Sequence, residues 1–168
     1  MNPVTNTQRK KMGNKICNGV KIIVRNLQKR IPISPKRIRE TVLKTLSLER
    51  IDEPGEITIL FLKDKETRAL NLKYLGCDSA TDVITFDLRE KKRMRSGEGI
   101  LVDIAISTDT AVRNARIFKT TPLYEIYLYV IHGVLHVLGY DDKNAKQKKI
   151  MEDKSIAILN KLQVTHYI

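Results

Sequence analysis

Residues 123–138, LYEIYLYVIHGVLHVL, carry apolar side chains at the spacing of an α-helix. At about 100° per residue, positions three and four apart share one face of such a helix. The resulting apolar stripe consists of Leu123, Tyr127, Ile131, Val134, Leu135 and Leu138. The nearly opposite side carries Glu125, Tyr129, His132 and His136. The pattern predicts an amphipathic helix that packs its stripe on a core and keeps both histidines away from that stripe.

The rest of the chain alternates short strand patterns with helical ones. The predicted strands are VKIIVRNL (20–27), EITILFL (56–62), TDVITFDL (81–88) and ILVDIAIS (100–107). Strands grouped ahead of a run of helices indicate an α+β domain. We therefore expect a small mixed four-stranded sheet packed with about five helices.

Capping residues or proline mark the starts of four of the five predicted helices. Ser34 with Pro35 begins the first helix, Asp64 caps the second, which ends at Gly76, and Thr108 or Asp109 caps the third. Thr121 with Pro122 begins the fourth helix, and the last lies near residues 145–162. A length of 168 residues suits one domain. We assign that domain to residues 19–168 and interpret the polar, basic residues 1–18 as a flexible arm.

Positive charge is concentrated at the start of the chain. Of a net charge of +12, residues 1–50 contribute 13 Lys and Arg against 2 Asp and Glu. Such a surface attracts polyanions such as RNA through their phosphates, although a solvated face is the alternative interpretation. A second basic cluster, Arg89, Lys91, Lys92, Arg93 and Arg95, follows the third predicted strand.

Several protein classes are disfavoured by the sequence. No apolar run reaches the roughly 18–20 residues that cross a bilayer, and no secretory signal pattern is present. Cys17 and Cys77 are too far apart for a metal clip or a disulfide framework. These features predict a cytoplasmic protein with free thiols and no membrane contact.

The stretch HGVLHVLGYDD (132–142) places His132 and His136 one helical turn apart, a spacing at which two imidazoles bind one metal ion. Gly139 can end the helix in a left-handed conformation and bring Asp142 back as a third ligand. Three ligands leave a position open for water, as in catalytic zinc sites. Position 133 is glycine, so the glutamate base of HExxH peptidases is absent. The alternative is a pair of non-ligand histidines followed by a simple Asp-Asp turn.

The same stretch resembles the H-G-x-L-H-L-x-G-Y-D-H signature of the YbeY family of endoribonucleases. Residues 69–90, ALNLKYLGCDSATDVITFDLRE, resemble that family's L-N-x-x-Y-R-x-x-D-x-P-T-[ND]-V-L-S-F segment, and ILVDIAIS resembles its L-G-D-I-x-I-S strand. The resemblance implies a mixed sheet with helices and one Zn²⁺ per chain. It also implies metal-dependent hydrolysis of single-stranded RNA, including maturation of the small-subunit rRNA 3′ end, with RNA and the ribosomal small subunit as partners.

Two positions depart from the family pattern. His132 and His136 match its first two ligands, but Asp142 stands where the family has a third histidine. Leu75 stands where the family has an arginine implicated in the RNA reaction, and leucine cannot bind a phosphate. Either Lys73 or a residue of the basic cluster at 89–95 substitutes for it, or nuclease activity is weak. Two other hypotheses stay open: a non-catalytic factor associated with RNA or the ribosome, and a metal-dependent hydrolase of another substrate.

Four further polar positions have two interpretations each. Thr81 and Asp82 line a cleft or form a local turn, and the turn is favoured. Asn71 faces a substrate or, as we favour, lies on an exposed helix face. Asp103 reaches the site or only solvent, and His166 is predicted to be a surface residue.

Overall fold

The computed structural model describes residues 19–88 and 99–164. Its elements, in chain order, are β1 (Val20–Asn26), α1 (Pro35–Leu48), β2 (Gly55–Leu62), α2 (Asp64–Leu75), β3 (Val83–Asp87), β4 (Ile100–Ser107), α3 (Thr108–Phe118), α4 (Pro122–Val137) and α5 (Ala145–Lys161). The predicted α+β class is therefore confirmed, with five helices and a mixed four-stranded sheet in the described residues. The basic arm 1–18, the basic cluster at 89–95 and His166 lie outside the described residues.

The sheet has the strand order β1-β2-β4-β3. Strands β1, β2 and β4 are parallel, and β3 pairs antiparallel with β4 at the edge. Side chains alternate between the two faces of a strand, so the register places every second residue of β2 and β4 together. The fully buried face consists of Ile57, Ile59, Phe61, Val102, Ile104 and Ile106.

Helix α4 is the central element of the fold, because it contacts β3, β4, α1, α3 and α5. It approaches the sheet closely at Gly133. A Cβ at this position would lie 2.6 Å from Cγ2 of Ile104 and 3.2 Å from Cγ2 of Val83. Glycine is thus the residue that lets the helix lie directly on β3 and β4 between the two histidines.

The expected polar side of α4 is not exposed. Glu125 is 2% exposed and Tyr129 is 3% exposed, so the prediction that both lie away from the core is wrong. Helix α3 and the turn after it cover this side, where Asn114 Nδ2 donates to the Tyr129 hydroxyl at 2.8 Å and Thr120 Oγ1 donates to Glu125 Oε1. Hydrogen bonding makes the burial of these polar groups possible.

Two predicted helix starts and the predicted end of α2 are confirmed. Ser34 and Thr121 cap α1 and α4 ahead of a proline, and Gly76 ends α2 in a left-handed conformation. The N-cap of α3 is Ser107 rather than Thr108 or Asp109, since the Ser107 hydroxyl accepts from Thr110 N–H.

Asp64 is not the cap of α2 but its first residue, and the N-cap is Lys63. The Asp64 carboxylate is engaged elsewhere, by Arg113 and by the hydroxyls of Ser107 and Thr110. Partial burial raises the pKa of Asp64, but these hydrogen bonds outweigh it and lower the pKa overall. The carboxylate therefore ties the end of β2 to the end of β4, a connection that local capping rules do not predict.

Candidate metal centre

The centre begins at the C-terminus of α4, which ends in a Schellman motif. Gly139 has a φ of +91°, its N–H donates to His136 O at 3.0 Å, and Tyr140 N–H donates to Leu135 O at 3.1 Å. Gly139 therefore ends the helix as predicted. This turn reverses the chain and carries residues 140–142 back toward the last turn of the helix.

Three candidate ligands meet at this helix end. The His132 and His136 rings have centroids 5.3 Å apart and planes inclined by 70°. One nitrogen from each ring and one carboxylate oxygen of Asp142 all lie within 4.8 Å of one another. Both histidines are half-buried and Asp142 is exposed. The arrangement has one covered side, formed by the helix, and one side open to solvent.

A hydrogen bond sets the orientation of the His136 ring. Its Nδ1 lies 3.0 Å from the backbone carbonyl oxygen of Tyr140. Since a carbonyl oxygen can only accept, Nδ1 carries the proton and the lone pair of the neutral ring is on Nε2. Ligand histidines in metalloproteins are held in this way.

The electrostatics of His132 also suit a ligand. Burial lowers the pKa of His132, and the neighbouring His136 lowers it further. The carboxylates of Asp82, Asp142 and Glu152 act in the opposite direction without reversing the shift. The neutral imidazole, the form that binds metals, is thereby favoured. Two imidazole nitrogens and one carboxylate oxygen fit a borderline divalent ion such as Zn²⁺ and leave a coordination position open.

Two residues far away in the sequence support the turn and were not found by sequence reasoning. Glu49 accepts from the Tyr140 hydroxyl at 2.7 Å and from Lys154 Nζ at 2.7 Å. Lys154 Nζ also lies 5.0 Å from the centre of the Tyr140 ring. These contacts join residues 91 and 105 positions apart, so no local motif reports them.

The other predicted site residues lie on different elements. Lys73 and Leu75 are on the last turn of α2, where Leu75 is 61% exposed and Lys73 Nζ lies 5.0 Å from the Tyr74 ring. The Tyr74 ring in turn contacts Phe86 of β3 with centroids 5.0 Å apart. The basic cluster Arg89, Lys91, Lys92, Arg93 and Arg95 is not among the described residues.

The remaining polar positions are resolved by their contacts. Asn71 is 6% exposed and its Nδ2 donates to Ser79 O at 2.8 Å, so the predicted exposed face is wrong. The reason is that Asn71 fastens the loop after α2. Asp82 Oδ1 accepts from Val83 N–H at 2.8 Å and from Thr81 Oγ1 at 3.1 Å, which agrees with the favoured local interpretation, and the Asp82 carboxylate also acts to raise the pKa of His132. Asp103 alternates with Ile104 and so points to the face of the sheet opposite α4.

The sequence is similar to proteins of one family. The family model described as Endoribonuclease YbeY matches residues 23–163. An Endoribonuclease YbeY of Desulforamulus reducens is 34% identical over 149 residues, which cover 85% of this chain and 97% of that protein. One of Syntrophus aciditrophicus is 40% identical over 123 residues, covering 73% and 76% of the two chains.

A solved structure shares the fold. The solution structure of a Thermotoga maritima protein has a TM-score of 0.56 and 25% identity, covering 84% of this chain and 89% of that one. Within residues 19–88 and 99–164, no helix is both long enough and apolar enough to cross a membrane.

Proposed function

The chain belongs to the endoribonuclease YbeY family, and from that premise we propose that it is a metal-dependent endoribonuclease of single-stranded RNA. We assign its reaction to ribosome biogenesis in the cytoplasm, at the 3′ end of the small-subunit rRNA. One Zn²⁺ per chain would be held by His132, His136 and Asp142. The observation that carries the proposal is the meeting of these three side chains at the end of α4, within 4.8 Å of one another.

A bound Zn²⁺ would act as a Lewis acid on a phosphodiester and would activate water for its hydrolysis. Other contacts of the chain orient the two histidines and keep them in the form that binds a metal. The Tyr140 carbonyl turns Nε2 of His136 toward the centre, and burial keeps His132 neutral. The exposed Asp142 lies on the side from which a polymer can approach. Its carboxylate lowers the net charge of the centre relative to three imidazoles, so the ion polarises its ligands less strongly.

RNA binding is assigned to basic residues. We propose that the arm 1–18 and the cluster Arg89, Lys91, Lys92, Arg93 and Arg95 contact phosphates, and that Lys73 replaces the arginine that the family has at position 75. Contacts of this kind position the backbone without reading sequence. They also make binding depend on salt, because each phosphate contact releases a counterion.

The test combines metal analysis with RNA cleavage. The protein, purified without added chelator, is expected to contain about one zinc per chain. It is expected to cleave an end-labelled single-stranded RNA and to stop when a chelator is added. The double variant His132→Ala with His136→Ala should lose metal and cleavage together. Full metal content in the double variant would refute the assigned ligands.

The exposed Leu75 favours a second candidate function, a non-catalytic factor that binds RNA or the ribosome. Leu75 is 61% exposed at the family's arginine position and cannot stabilise charge on phosphorus. Such a factor would retain rRNA with a steep salt dependence and leave it uncut after zinc addition. A hydrolase of another substrate would instead fail to retain RNA at moderate salt. Cleavage that depends on zinc decides for the nuclease.

A further inference from the structure

We propose that Glu49 and Lys154 are positioning residues of the candidate metal centre, acting through Tyr140 on His136 and on the turn that carries Asp142. This inference rests on the metal centre proposed above. It concerns the C-cap residue of α1 and a residue of α5, neither of which is a candidate ligand.

Glu49 is the C-cap of α1 and is held rigidly there. The helix ends in a second Schellman motif, in which Arg50 has a φ of +58°. Ile51 N–H donates to Leu46 O at 2.9 Å, and Arg50 N–H donates to Ser47 O at 3.2 Å. The Glu49 side chain is only 13% exposed. Its carboxylate therefore projects from a fixed point of the core rather than from a loose loop.

The carboxylate of Glu49 uses both of its oxygens. Oε2 accepts from the Tyr140 hydroxyl and Oε1 accepts from Lys154 Nζ, each at 2.7 Å. Burial raises the pKa of Glu49, but the hydrogen bonds from Lys154 and Tyr140 outweigh burial, and the group stays ionised at neutral pH. Lys154 lies over the Tyr140 ring at 5.0 Å as well, so the same cation fixes both the acceptor and the ring.

Tyr140 transmits this restraint to the ligands. Its ring is held by Glu49 and Lys154, and its backbone carbonyl accepts from Nδ1 of His136 at 3.0 Å. Asp142 follows two residues later in the same turn. A cleft of about 320 Å³ lies beside this turn and is lined by Glu49, Ile51, Leu138, Gly139 and Tyr140. The Tyr140 carbonyl is kept in place by the hydrogen bonds of its hydroxyl and its backbone N–H, together with the packing of the Tyr140 side chain against the core.

Two simpler roles make different predictions. If the two charges acted only through their electric field, loss of the Glu49 anion would weaken the binding of a dication, and loss of the Lys154 cation would strengthen it. If they acted only on stability, metal affinity would not change in protein that remains folded. A positioning role predicts weaker binding in both variants.

The experiment measures Zn²⁺ affinity by competition with a chelating dye, together with the visible absorption spectrum of the Co²⁺ form. The variants are Tyr140→Phe, Glu49→Gln and Lys154→Met, with Lys154→Arg as the conservative replacement. Glu56→Gln is the matched control, since Glu56 pairs with Lys21 at 2.8 Å and neither residue contacts the centre. Urea unfolding of each metal-free protein shows that the variant is folded under the conditions of the titration.

We expect about tenfold weaker Zn²⁺ binding in the three test variants, since partners that orient a ligand typically contribute 10- to 100-fold to metal affinity. The Co²⁺ spectrum should change in position or intensity, whereas Lys154→Arg and Glu56→Gln should match the wild type. If Glu49→Gln does not fold, Tyr140→Phe and Lys154→Met decide the question.

Tighter Zn²⁺ binding in Lys154→Met alongside weaker binding in Glu49→Gln would show that the two charges act through their electric field and not by positioning. Unchanged affinity and spectra in folded variants would refute the inference and leave the metal centre intact. A wild-type protein that binds neither ion would refute the metal centre itself, and the inference with it.

Discussion

Substitution of Gly133 by alanine tests how α4 supports the two histidines. The added Cβ would lie 2.6 Å from Ile104 Cγ2, well inside the 3.0 Å below which such contacts are essentially never found, so the helix or Ile104 must move by a few tenths of an ångström at least. Ile104 is fully buried and its Cγ2 is attached directly to Cβ, so the side chain cannot simply rotate away. The shift therefore has to be taken up by α4 or by the sheet.

The expected change in the free energy of unfolding of Gly133→Ala follows from two opposing effects. Overpacking a core costs about 1–3 kcal/mol, and replacing glycine by alanine inside a helix returns about 1 kcal/mol. Because the Cβ would also meet Val83 at 3.2 Å, we expect a net loss of about 1–2 kcal/mol in the free energy of unfolding. The displacement occurs between His132 and His136, so Zn²⁺ binding should weaken in the same variant.

The assay is urea unfolding followed by circular dichroism in the presence of chelator, which removes the contribution of bound metal to stability. Gly76→Ala is the control: its Cβ meets nothing within 4 Å, and its cost arises only from a φ of +71°. We expect that control to lose stability without losing Zn²⁺ affinity. An unfolding free energy of Gly133→Ala equal to or above that of the wild type would refute the packing argument.

Three further predictions concern the ligands and the Asp64 cluster. Asp142→Ala should weaken Zn²⁺ binding by at least the roughly tenfold expected for loss of an orienting partner, and Asp142→His should retain it, as measured by dye competition. Zinc at about 100 times its Kd should stabilise the wild type by about 2.7 kcal/mol in thermal or urea unfolding and leave His132→Ala unchanged. The pKa of Asp64 is lower in the folded chain, so its stabilising effect is complete above the unfolded pKa of about 3.9 and is lost as pH falls through the folded value. The stability difference between wild type and Asp64→Asn should therefore shrink from neutral pH to about pH 2; a difference that grows on acidification would contradict it.

The parts of the molecule that the sequence predicts well are those set by neighbouring residues. The spacing of His132 and His136 follows from helix geometry, and the position of Gly139 predicts the helix end that returns Asp142. Strand alternation predicts the four strands of the sheet in the same way. In each case the physical cause lies within about one turn or a few residues of its effect.

The parts that the sequence does not predict depend on contacts between distant segments. Glu125 and Tyr129 have the polarity of an exposed helix face, and only the packing of α3 shows that they are buried. Asn71 has the same ambiguity until its bond to Ser79 is seen. Glu49 is joined to Tyr140 across 91 positions, and no local sequence pattern reports which distant side chain its carboxylate binds.

Helix α4 is at once the centre of the core and the platform for two of the three candidate ligands, whereas Asp142 lies on an exposed turn outside the core. A change at His132 or His136, or in the residues between them, alters packing together with chemistry, so both histidines are constrained twice. Position 142 is not constrained by packing in the core. One candidate ligand type can therefore replace another there without disturbing the fold. The aspartate at that position, where the family signature that residues 132–142 resemble has a histidine, is the kind of variation that this unequal tolerance permits.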